Sequence, residues 1–188
     1  MRINKEFKIW EATAKDEFRP VFNYVHFIGK FAYACDSHIL AKVPTDHLID
    51  ADGEDIDNIV GRLEGYSIYA DMLKSLSRNK AEMHLEETPE GLAFAMFNNE
   101  HKEIVLLRKT EDLPFKVVDF EKVMAPSTNK EPVSRIAFNP SLFKKLTNAL
   151  GADNVILEFT NEREKIFVIP QEYVNLSKGL IMPRIITD

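Results

Sequence analysis

With 188 residues, 45% of them hydrophobic and 29% charged, the chain has the composition of a globular protein with material for a sizeable core. No apolar run approaches the roughly 20 residues a membrane-spanning helix needs. Met1-Arg2-Ile3-Asn4-Lys5-Glu6 opens no secretory leader, and the lone Cys35 suits a reducing compartment, so a cytoplasmic protein is expected. A net charge of −6 excludes a uniformly basic surface, so a nucleic-acid role would need basic residues gathered on particular elements.

In chain order, Phe7, Ile9, Trp10, Ala12 and Ala14 suggest a short helix over 5–15, and Pro20 blocks its continuation. Residues 21–27 alternate and are rich in β-branched and aromatic side chains, which predicts a strand. Gly29-Lys30 turns it into a second strand over 31–35, and 39–43 is a third. Residues 46–58 are acidic and turn-rich. A calcium loop of the EF-hand type fails there, because counting from Asp50 the glycine falls fourth instead of sixth; a solvated acidic loop is expected.

Tyr69, Met72, Leu73 and Leu76 have helical spacing, predicting a helix over 69–77. Strands follow at 81–86, 92–97 and 104–108, with turns at Thr88-Pro89-Glu90-Gly91 and Asn98-Asn99. Residues 113–126 form an irregular link. A short strand is expected over 135–138, and Asn139 and Pro140 then start a helix whose apolar stripe is Leu142, Phe143, Leu146, Ala149 and Leu150, ended by Gly151. Residues 155–159 and 165–169 pair as a hairpin, and 180–182 make a last strand. Helix followed by strands recurs about three times, at intervals of roughly 65 residues.

Several stretches carry a likeness to a known family. The segment Ala12-Thr13-Ala14-Lys15-Asp16-Glu17-Phe18-Arg19-Pro20-Val21-Phe22-Asn23-Tyr24-Val25-His26-Phe27 resembles the opening of the middle domain of the bacterial DNA polymerase III beta subunit, the DNA sliding clamp. Downstream, Cys35-Asp36-Ser37-His38-Ile39-Leu40-Ala41 is similar to that family's Thr-Asp-Gly-His-Arg-Leu-Ala motif, with Ser37 at the glycine and Ile39 at the arginine. The link beginning Leu113-Pro114-Phe115, the helix start Phe138-Asn139-Pro140-Ser141-Leu142 and the closing Leu180-Ile181-Met182-Pro183 resemble further family motifs, in the same order. Leu142 stands at an aromatic position of the family, and Arg184 follows Pro183 directly.

The resemblance implies an α+β, DNA-clamp-like fold of repeated helix-plus-antiparallel-strand units, with helices on one face of a curved sheet. It divides the chain into a clamp-like domain over 1–126, with repeats at about 1–60 and 61–126, and an additional half-domain over 127–188. A shortened clamp of three repeats, instead of six, would need a different number of subunits to close a ring around DNA.

Two functions follow as expectations. The first is loose, sequence-independent binding of duplex DNA by basic helices. The second helix supplies Lys74, Arg78 and Lys80 against Asp71, and the third supplies Lys144 and Lys145 with no acid between Asn139 and Gly151. The first mixes Lys5, Lys8 and Lys15 with Glu6, Glu11 and Asp16. Solubilising lysines on exposed helices fit the same positions. The second function is capture of replication-protein peptides in an apolar groove. By resemblance its walls include Ser37, His38, Ile39, Leu40, Val118, Val123, Asn139, Leu142, Leu180, Ile181, Met182 and Pro183, although strand Ile, Leu and Met are usually plain core. A homo-oligomer is implied if DNA is encircled. A module that keeps only the groove, a decoy or regulator of a clamp, is the alternative.

No enzyme, cofactor or metal site is expected. Cys35 and His38 are close, but on an extended strand they point to opposite faces, and no oxyanion loop accompanies them. The five histidines (His26, His38, His47, His84 and His101) show no metal-ligand spacing, and no glycine-rich phosphate loop occurs among the seven glycines.

Overall fold

The computed structural model describes residues 1–79, 81–98, 101–126, 133, 135–173 and 176–184. Its strands are β1 (Arg2–Ile3), β2 (Tyr24–Ile28), β3 (Phe31–Cys35), β4 (Ile39–Pro44), β5 (Ile49–Asp50), β6 (Tyr66–Tyr69), β7 (Met83–Thr88), β8 (Gly91–Asn98), β9 (His101–Leu106), β10 (Arg108–Lys109), β11 (Val155–Glu158), β12 (Ile166–Pro170) and β13 (Lys178–Ile181). Its helices are α1 (Thr45–Leu48), α2 (Ile56–Leu63), α3 (Ala70–Arg78), α4 (Phe120–Met124) and α5 (Pro140–Leu150), with 3₁₀ turns at Ile9–Ala12, Pro20–Asn23 and Thr110–Asp112. Eight strands make one sheet in the order β10-β6-β2-β3-β4-β13-β12-β11; β7-β8-β9 make a second, and β1 pairs with β5. All these pairs are antiparallel. The C-terminal strands extend the N-terminal sheet directly, with Ile181 opposite Ile39 and Leu180 opposite Leu40.

Strand side chains alternate between faces, and here each face has its own core. Ala32, Ala34, Ile39, Ala41, Val43, Ile166, Val168 and Ile181 join Ile9, Ala12, Leu73, Leu76, Leu146, Ala149 and Leu150 in the main core. Tyr33, Cys35, Leu40, Phe167 and Leu180 point the other way and join Phe120 and Met124 in a smaller one. The helix side of the large sheet uses small residues, so α5 lies close. A Cβ on Gly179 would come within 2.7 Å of a Leu146 methyl. The Ile9–Ala12 turn touches both α3 and α5, which places the three in a row on this face.

Sequence and structure agree best in α5. The Asn139 side chain accepts a hydrogen bond from the Ser141 amide (2.9 Å), Pro140 opens the helix, and Gly151 closes it in the left-handed region at φ 63°. The helix predicted over 5–15 is a single 3₁₀ turn, because its apolar positions alternate more than they follow a helical period. The predicted strand 21–27 begins at Tyr24, since Pro20 starts a 3₁₀ turn instead. The acidic stretch 46–58 is not merely a solvated loop: Leu48 and Ile49 are buried, and Asp55 caps α2 by accepting from the Asn58 amide (3.3 Å). The link 113–126 contains α4. The strand expected over 135–138 reduces to one bridge, Ala137 to Arg184. Among the described residues no helix is long and apolar enough to cross a membrane.

Candidate nucleic-acid and partner surfaces

The helix face presents the basic residues singled out from sequence. Arg78 at the end of α3 and Lys144 and Lys145 on α5 are exposed, and Lys74 is half-buried; Lys80 lies outside the described residues. Among the described residues no carboxylate pairs with these four. The acid on α3 is neutralised from elsewhere: Lys15 Nζ lies 2.8 Å from Asp71, and that bond holds the lysine above its ordinary pKa. Glu11 accepts from the Asn148 side chain at 2.8 Å, which ties the 3₁₀ turn to α5. By sequence Lys15 belongs with the first helix, and its service to α3 is invisible there because the pair spans two repeats.

The sheet separates the twelve groove residues. Ile39 and Ile181 lie in the main core beneath the helices, and Leu142 packs against it from α5. Leu40 and Leu180 belong to the smaller core on the opposite face, with Val118 packed against it. Val123 on α4 is exposed, as is Met182. Ser37 and His38 are exposed at the β3–β4 turn. The Met182 amide donates to the His38 carbonyl (2.8 Å), and the Arg184 amide donates to the Ala137 carbonyl (2.7 Å); Asn139 and Pro183 are half-buried. Ser37 has φ 77°, a conformation glycine adopts with least strain, at the position where the sequence motif resembles a glycine.

The smaller core is closed by α4 through both packing and polar contacts. Phe120 stacks on Tyr33 with centroids 5.0 Å apart and planes 8° from parallel. The Tyr33 hydroxyl donates to Glu121, Lys42 donates to the same carboxylate (2.6 Å), and Lys165 donates to the Val123 carbonyl (2.6 Å). Burial raises the Tyr33 phenol well above its usual range, with Glu121 adding to the shift. Glu121 is held below the ordinary carboxylate value, first by Lys42 and then by Tyr33. On the same face His26 is buried, its Nδ1 2.8 Å from the Ser67 hydroxyl and its Nε2 3.1 Å from the Val21 carbonyl. Burial lowers its pKa to about 4, so the ring is neutral, with Nε2–H donating to Val21.

Sequence reading missed this polar set. The available signal was Lys42, a lysine inside the otherwise apolar strand expected over 39–43.

Cys35 is buried at the end of β3, and burial pushes its thiol up to about 12, while His38 stands exposed in the following turn. No thiolate forms near neutral pH in that environment. Among the described residues no three His, Cys, Asp or Glu side chains gather as metal ligands.

Comparison with known proteins agrees on the architecture. No family model matches the chain, and no curated protein matches by sequence. Solved bacterial sliding clamps do match in structure. The beta sliding clamp of C. crescentus superimposes with a TM-score of 0.61 at 15% identity, covering 99% of this chain and 64% of its own. The DNA polymerase III beta chain of Streptococcus pneumoniae gives 0.60 at 13% identity, covering 95% of this chain and 62% of its own. The DNA polymerase sliding clamp of Pseudomonas aeruginosa gives 0.59 at 13%, covering 97% and 65%. The chain therefore has the α+β fold of bacterial DNA sliding clamps, and it spans less than two thirds of the length of these proteins.

Proposed function

We propose that the protein is a non-enzymatic, cytoplasmic, sliding-clamp-like factor that holds duplex DNA on its helix face and docks replication partners on the opposite face. The observation that carries this reading is the set of cations on α3 and α5, without carboxylate partners among the described residues, on a chain of net charge −6. A loose, sequence-independent hold on phosphate needs such a local excess and no base-reading groups. In this reading the chain comprises two repeats over 1–126 and a further half-domain over 127–188. Copies associate through strands at the ends of its sheets, such as β9, β10 and β11. The apolar docking surface then consists of Val118, Val123 and Met182 around the smaller core, with His38 at its rim.

The test is retention on DNA. A ring-forming assembly stays on closed circular duplex and runs off the ends of the same DNA once linearised, in a multimer whose mass exceeds one chain. Equal loss from both topologies removes encirclement. Absence of salt-sensitive binding to either removes the DNA function and leaves the partner-docking module.

A further inference from the structure

Lys42 and Lys178 are cross-strand partners on β4 and β13, on the face opposite the helices. Both ammonium groups rest on aromatic rings: Lys42 is 4.1 Å from the Phe31 centroid and Lys178 is 3.8 Å from that of Phe167. Stacking of this kind fixes a lysine head without neutralising it. Between the two lysines and the end of α4 lies a cavity of about 440 Å³, walled also by Phe31, Met124 and Leu176. Among the described residues one carboxylate, Glu121, borders it, already bonded to Lys42 and Tyr33. Lys178 has no ion-pair partner among the described residues. Ser177 lines the same cavity; it is 1% exposed, and its hydroxyl has no hydrogen-bond partner among the described residues. The site thus holds a fixed cation and an unused donor, beside apolar walls.

We propose that this cavity binds a carboxylate carried on an apolar peptide: an acidic residue of a partner protein, adjoined by an apolar one. The carboxylate accepts from Lys178 and Ser177, and the apolar neighbour lies on Met124 and Leu176. Duplex DNA is a poor occupant, because its convex backbone meets protruding cations, and here Lys42 is only 19% exposed. The inference rests on the reading of this face as the partner-docking face, and it adds the chemistry of the partner.

The experiment is selection of a random heptapeptide display library on the full-length chain, followed by titration of the enriched peptides against folded variants. The expected peptides carry Asp or Glu beside an apolar residue. Their affinity falls about tenfold or more when that acid becomes its amide, and similarly on Lys178→Glu. Ser177→Ala, which removes an unpaired group and spares the fold, weakens them severalfold.

Enriched peptides that lose binding on Leu176→Asp or Val123→Asp, yet need neither an acid nor Lys178, overturn the anion site and leave partner docking intact. Peptides displaced from Lys178 by millimolar inorganic phosphate, with no preference for an apolar neighbour, overturn the peptide assignment in favour of a small-phosphate site. No enrichment over an unrelated control protein overturns both readings.

Discussion

The two faces of the large sheet are built from alternate residues of the same strands, yet they differ in kind. On the helix side every buried strand residue is apolar and several are as small as Ala or Gly, so Leu146, Ala149 and Leu150 of α5 pack directly on the sheet. On the opposite side the strands contribute His26, Tyr33, Cys35 and Lys42, and a single turn of helix, α4, covers them through hydrogen bonds as well as packing. The difference teaches that one face is a scaffold for the charges it displays, whereas the other keeps polar groups and a cavity, the place at which the proposed partner would engage.

The largest effect should separate the two cores. Leu146→Ala opens the main core beside Gly179 and should cost about 2–5 kcal/mol of global stability in denaturant unfolding. Glu121→Gln removes a bond to a largely exposed carboxylate, and should cost at most about 1 kcal/mol. Its main expected readout is faster amide exchange confined to α4 and the adjoining link. Equal global losses from both changes would mean that the faces unfold as one unit, without a weaker side.

Acid should discriminate the faces next. His26 has a folded pKa of about 4, below its unfolded value of 6.5, so the unfolded chain binds more protons between those limits. Stability from this group is complete above pH 6.5 and is lost as pH falls towards 4, by on the order of 3 kcal/mol. The groups around the ring are the Ser67 hydroxyl, the Val21 carbonyl and the rings of Tyr24 and Phe120. No carboxylate among these contacts offsets the charge. Carboxylates with lowered pKa, Asp16 and Glu121, lose their contributions at lower pH. His26→Gln should therefore flatten the stability profile between pH 6.5 and 4 selectively. An unchanged slope would place the acid sensitivity elsewhere.

How much of this was legible in the sequence follows the same division. The main-core face was readable because its signals are local: Asn139-Pro140 and Gly151 bracket α5, and the Tyr69 to Leu76 spacing marks α3. The motif around Ser37 was also readable, and the positive φ there accounts for the resemblance to a glycine position. The opposite face was not readable, because its partners lie far apart in the chain. Tyr33 and Glu121 are 88 positions apart, and Lys42 and Lys178 meet only through the β4–β13 pairing. The groove residues show the same limit: adjacent strand positions such as Ile39 and Leu40 look alike in sequence, but the pleat sends them into different cores.

In the proposed function the helix face meets DNA and the opposite face does not. The direct measurement is duplex affinity against salt concentration for the parent chain, for a variant with Lys74, Arg78, Lys144 and Lys145 all changed to Gln, and for Lys178→Glu. The account predicts that the quadruple change weakens binding and reduces the log–log salt slope by about 0.9 for each phosphate that is no longer neutralised, while Lys178→Glu leaves the slope unchanged. A slope that survives the quadruple change, or that falls instead with Lys178→Glu, would contradict it.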